Sequence, residues 1–205
     1  RQPNEEVRKR WGLPENALTL LTITDMTSVS EMVGLLNAFQ KVAIKKAAAR
    51  LIIVGQGPKR KEIEYTMYSL ALGSRVVITG AVNSVELAEL IALCDGYVNL
   101  SSRVSGLEPS MLEAMAQRKV VVGSEVSPLA SVIEPGVSGY LVRPADIAEL
   151  SQLILDLFEG RIPKLEIGEA AHRQIVGFFD SRRMLDETIH AYFEILKNTG
   201  YYKKR

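Results

Sequence analysis

The chain has 205 residues, 47% of them hydrophobic and 24% charged, with a formal net charge of +1. Balanced charge excludes an electrostatic nucleic-acid binder, and a single cysteine, Cys94, excludes a disulfide framework. No apolar run reaches the roughly 18 residues that a membrane span needs, so the composition fits one globular unit or one lobe of something larger.

The chain begins at Arg1 rather than Met, and residues 1–16 read as a polar lead-in, a short charged helix followed by a Trp11-Gly12-Leu13-Pro14 turn. The apolar, β-branched run 18–23 predicts a first strand, and a polar loop, 24–28, follows it. Ser30 is placed to cap a helix over 31–46 with Val33, Leu36 and Phe39 on one face. Residues 50–55 form the second predicted strand and end in a Gly55-Gln56-Gly57-Pro58 turn before a helix over 59–72. A third strand over 75–80 leads to a helix capped by Asn83 or Ser84 that ends near Cys94.

A fourth strand over 96–100 enters a polar turn, 101–106. A helix opens at Glu108-Pro109, where proline's missing N–H and fixed φ suit the first helical position. Met111, Leu112, Met115 and Ala116 form its expected apolar face. Then come strands over 119–123 and 139–142, a short helix over 127–133, and an amphipathic helix over 146–158. Two further helices, 165–177 and 181–198, end the chain.

Six strands alternating with helices, several of them continuously apolar, predict an α/β fold: a Rossmann-like, doubly wound, six-stranded parallel sheet ordered 3-2-1-4-5-6, with two C-terminal helices. Ligands of such sheets sit beyond the carboxyl ends of the strands, where the order reverses. Here that switch lies between strands one and four, so loops 24–30 and 101–108 face each other across one crevice. The free N–H groups of the helix opening at Pro109 favour an anionic ligand there. His172 and His190 lie on the closing helices without metal-ligand spacing, and Gly55-x-Gly57 lacks the third glycine of a dinucleotide fingerprint.

Four segments together carry a resemblance: residues 50–58, 77–80, 112–116 and 136–142, in that order. They resemble the C-terminal half of retaining glycosyltransferases of the GT-B fold, family 4, also called glycosyl transferases group 1. The resemblance implies a nucleotide-diphosphate-sugar-binding domain over 17–160, with 1–16 leading in from an N-terminal acceptor lobe and helices of 161–205 closing the lobe. It implies transfer of a hexose to a glycan or lipid acceptor once both lobes are joined, with the isolated domain inactive. No cofactor or metal is implied beyond the donor. The expected setting is cytoplasmic, with membrane association at the inner face only through the other lobe.

Residue by residue, the resemblance puts Glu113 on the ribose hydroxyls and the amides near Gly106 and Leu107 on the donor sugar and phosphate. Gly55 and Gly57 would border the donor. The chain also departs from the family. Ser105 stands where the first of two glutamates is expected, and the diphosphate-clamping Arg and Lys of the first loop align with Asp25 and Ser30. No Arg or Lys occurs between Leu18 and Gln40. A like charge at about 4 Å repels by roughly 4 kcal/mol at an effective dielectric near 20, so Asp25 and Glu108 oppose a diphosphate. Arg103 is the expected replacement cation, ahead of Lys59 and Arg60. The alternative is a degenerate, non-catalytic domain that binds a partner or serves as an accessory subunit.

Overall fold

A computed structural model describes residues 5–100, 108–126, 128–179 and 181–199 of the chain. Six strands, β1 (Leu18–Ile23), β2 (Ala49–Val54), β3 (Val76–Gly80), β4 (Gly96–Asn99), β5 (Val120–Ser124) and β6 (Tyr140–Val142), form one sheet. Its order is β3-β2-β1-β4-β5-β6 with every pair parallel. This is the doubly wound arrangement that the apolar runs predict, reversing between β1 and β4.

The strands are mostly apolar on both faces because helices cover both sides of the sheet. Side chains alternate between two cores, as the strand's period of two demands. Leu20, Leu51, Ile53 and Val98 enter one core with α2 (Ser30–Lys45), α3 (Arg60–Ser69) and α7 (Ile147–Phe158). Leu21, Ile52, Tyr97 and Val121 enter the other with α1 (Glu5–Arg10), α4 (Ser84–Leu93), α5 (Pro109–Ala116), α6 (Leu129–Val132) and α8 (Lys164–Phe178). Val7 and Leu13 are buried in that second core, and Arg10 pairs with Glu86 of α4 at 2.9 Å, so the lead-in packs onto the sheet's flank.

Side-chain caps set the starts of α4 and α7 but not that of α2. Asn83 accepts from the N–H groups of Val85 and Glu86, both at 3.0 Å, in a complete capping box. Asp146 caps α7 by accepting from Glu149 N–H at 2.9 Å. Ser30, the expected cap of α2, is instead its first helical residue: Val29 holds the cap position without a side-chain bond. The Ser30 hydroxyl turns to the Ser28 hydroxyl, 3.1 Å away, which removes it from the backbone amides.

Helix α5 has Pro109 in its first turn but no side-chain cap, because the Glu108 side chain offers its amides no bond. The turn is held from below. The Tyr97 hydroxyl, on β4, meets Ser110 Oγ at 2.9 Å, with both residues buried. The buried face of α5 is Ser110, Met111, Ala114 and Met115; Leu112 and Ala116, expected on it, are half-buried because the true i, i+3, i+4 stripe runs through 111, 114 and 115.

Of the two C-terminal helices, α8 lies on α5, where His172 Nδ1 is 2.7 Å from the Ala116 carbonyl oxygen. The second, α9 (Ser181–Asn198), leaves Met184, Leu185, Ile189, Tyr192, Phe193 and Ile195 between 43% and 66% exposed.

Cys94 is buried, and its thiol donates to the Ile91 carbonyl at 3.2 Å. Burial pushes its pKa up to about 12, so the reactive thiolate is absent at neutral pH. Native protein at pH 8 is expected to resist a thiol-alkylating reagent that labels it fully in denaturant; rapid native labelling would contradict the packing. Tyr97→Phe leaves the buried Ser110 hydroxyl without its partner and should cost about 1–3 kcal/mol, measured by denaturant unfolding. A change within experimental error would show that the pair does not hold α5.

Candidate functional site

The carboxyl edge of the sheet begins with the loop after β1. Thr24 N–H donates to the Val54 carbonyl at 2.9 Å, and Met26 N–H donates to Thr24 Oγ1 at 3.0 Å. Met26 adopts a positive φ of 49° so that its side chain can be fully buried beneath the loop. Its carbonyl accepts from Lys59 N–H at 3.0 Å, which joins this loop to the turn after β2. That turn needs glycine at two places. A Cβ on Gly55 would overlap the Thr24 carbonyl oxygen, and one on Gly57 would overlap that of Asp25. The two glycines therefore let two backbones lie against each other, a packing role found at the edge where the resemblance sets the donor.

Asp25 is exposed, and its Oδ1 accepts from Thr27 N–H at 3.0 Å and from the Thr27 hydroxyl at 2.7 Å. This is an Asx turn, in which the carboxylate replaces a backbone acceptor and stiffens the loop. The nearby cations are engaged on the surface of α3: Lys59 with Glu62 at 2.9 Å and Arg60 with Glu64 at 2.7 Å.

Glu113 sits half-buried on α5, about one turn after Pro109 and beside α4, to which Gln117 is tied through the Ala88 carbonyl at 3.3 Å. Burial drives the Tyr97 phenol well above its ordinary pKa; the Ser110 hydroxyl opposes the shift, while the charges of Glu108 and Glu113 reinforce it. Both glutamates therefore lie within electrostatic reach of the phenol that anchors α5. Arg103, Ser105, Gly106 and Leu107 lie outside the described residues.

The structure also holds a feature absent from the sequence-based candidates. A cavity of about 300 Å³ opens between the first turns of α2 and α7, beyond the ends of β4, β5 and β6. Ser30, Glu31, Leu100, Ser124, Val142, Arg143 and Asp146 are among its lining residues. Arg143 pairs with Asp146 at 2.8 Å. The Asp146 carboxyl is held below the usual carboxylate range, chiefly by the Glu149 N–H that it caps and further by Arg143. The available signal was the Arg143-Pro144-Ala145-Asp146 run: a proline before a capping aspartate delays the helix and leaves the arginine on an open turn. Among the described residues, no three His, Cys, Asp or Glu side chains are grouped to hold a metal ion, and no helix is long and apolar enough to cross a membrane.

The sequence model of the family described as glycosyl transferases group 1 matches residues 3–174. N-acetyl-alpha-D-glucosaminyl L-malate synthase of Bacillus anthracis is 27% identical over 194 residues, covering 94% of this chain and 50% of its own length. Alpha-D-kanosaminyltransferase of Streptomyces kanamyceticus is 26% identical over 154 residues, covering 75% and 39% respectively. The chain thus spans about half the length, or less, of these curated relatives.

Among solved structures, Anabaena Alr3699/HepE in complex with UDP and glucose superposes with a TM-score of 0.81 at 22% identity, covering 91% of this chain and 51% of that one. The C-terminal domain of the group 1 glycosyl transferase LpcC from Francisella tularensis superposes at 0.72 with 17% identity, covering 88% of this chain and 96% of that one. These likenesses are of fold. With the family match over most of the chain, they show that it belongs to the glycosyl transferases group 1 family, as a Rossmann-like domain of the GT-B fold.

Proposed function

We propose that residues 17–160 bind the nucleotide-diphosphate-sugar donor of a retaining hexosyltransferase whose acceptor lobe precedes this domain. The observation that carries this reading is the family match over 3–174, which spans the half-buried Glu113 on α5. A carboxylate there can accept from two vicinal ribose hydroxyls at once. No side chain caps the start of α5, where Pro109 has no N–H and the Met111 N–H donates to the Glu108 carbonyl at 3.0 Å, so the helix dipole rather than a set of free amides would favour a phosphate oxygen there. Anabaena HepE, similar in fold, is solved in complex with UDP-glucose. Relatives of this chain include an N-acetyl-alpha-D-glucosaminyl L-malate synthase and an alpha-D-kanosaminyltransferase, consistent with a hexose as the transferred group. The expected setting is cytoplasmic, with any membrane contact made by the acceptor lobe.

One observation favours a second reading, a non-catalytic accessory domain. The first loop presents an exposed aspartate, Asp25, and no cation. Transfer from a nucleoside diphosphate depends heavily on positive charge at the leaving group. Without it, the fold could persist for binding alone.

Calorimetric titration of the full-length gene product with UDP, GDP and ADP separates the two. The donor reading predicts millimolar or tighter binding of at least one diphosphate, weakened tenfold or more, about 1.4 kcal/mol, by Glu113→Ala. Absence of binding to all three favours the accessory reading. Binding that Glu113→Ala leaves unchanged contradicts the assigned role of this carboxylate.

A further inference from the structure

We propose that Tyr97 is a positioning residue of the donor site: through Ser110 it fixes the turn of α5 over which the Glu113 carboxylate leans, and so sets how that carboxylate meets the two hydroxyls of a ribose. This role rests on the donor reading above and adds to it the group that orients Glu113.

Helix α5 is eight residues long, and a helix of that length is marginal by itself, so its pose follows from what holds it. Its start has no side-chain cap. It is tied instead at both ends. The Tyr97 hydroxyl meets Ser110 Oγ at 2.9 Å in the first turn, and His172 Nδ1 lies 2.7 Å from the Ala116 carbonyl oxygen in the last. Glu113 stands midway between the two ties. Tyr97 is the anchor beneath the start of the helix, and it is set in the middle of the sheet. Strand β4 is flanked by β1 and β5, with Leu21 beside Tyr97 on one strand and Val121 on the other. Tyr97 and Ser110 are both buried, so bulk water does not compete for their bond.

Side chains of a helix lean toward its N-terminus, and residues three apart are neighbours on its surface. Ser110 is three residues before Glu113, so the Glu113 stem leans over the turn that Tyr97 holds. Electrostatics link the same groups independently. Burial is the main cause of the raised Tyr97 pKa, yet the charge of Glu113 adds to it, as does that of Glu108. A carboxylate that accepts from two vicinal hydroxyls must be held within roughly 0.5 Å of its productive place. Loss of the Tyr97–Ser110 bond frees the turn beneath that carboxylate, and the ribose contact feels it before the rest of the nucleotide does.

The test is calorimetric titration of the full-length gene product with UDP, GDP and ADP and with the 2′-deoxy form of each. The native protein is expected to bind the ribose form of its preferred diphosphate fivefold or more tighter than the deoxy form. Tyr97→Phe and Ser110→Ala remove the same bond from either side, and each is expected to cut that preference by more than twofold. Ser110→Ala carries the test alone if Tyr97→Phe does not fold. A bond that serves only stability would lower the unfolding midpoint of the variants and leave the preference where the native protein has it.

The role of Tyr97 is overturned if the preference stays within twofold of the native value in the folded variants. A native protein that binds a diphosphate without preferring the ribose form overturns it together with the Glu113 assignment, while the donor reading stands. Binding of none of the three diphosphates overturns the donor reading and this role with it.

Discussion

Two bare α-carbons set the working edge of this domain. Gly55 and Gly57 lie so close to the carbonyls of Thr24 and Asp25 that any side chain would overlap them. Because they are bare, the loop after β1 rests on the turn after β2, and the bond from Lys59 N–H to the Met26 carbonyl closes the contact. Met26 then buries its side chain under the loop at the cost of a positive φ, and Asp25 spends its carboxylate on Thr27. The first loop is a rigid wall rather than a free segment. On the β1 side of the switch, the loop is already held in place, so less ordering entropy opposes a ligand that meets it.

The two faces of the sheet then present different chemistry along one edge. On one side stands α5, its uncapped first turn held by Tyr97 and Ser110, with Glu113 half-buried behind it. On the other, α2 and α7 enclose a small cavity with a buried serine and a paired arginine.

The fold was legible in the sequence because its signal is repeated. Six apolar runs, each alternating between two cores, leave one economical topology, and the strand order follows from right-handed crossovers. Helix caps were readable where one residue type dominates, as at Asn83 and Asp146, and were misread at Ser30, whose hydroxyl had a rival partner in Ser28. The roles of Gly55 and Gly57 were only half visible. Their pattern announced a tight turn, but contact with a backbone thirty residues earlier is a tertiary fact that no local window contains. The cavity was invisible for the same reason. Ser124 and Arg143 are ordinary polar residues until the sheet brings β5 and the end of β6 beside α2.

The central claim is that the carboxyl edge, and not the rest of the surface, receives the donor. Hydrogen–deuterium exchange of the full-length gene product, with and without a nucleotide sugar that it binds, tests this directly. The account predicts slowed exchange in residues 108–116 and 24–31, with residues 46–49 and 117–119 at the opposite edge unchanged. Protection confined to that opposite edge, or spread evenly over α8 and α9, would contradict it.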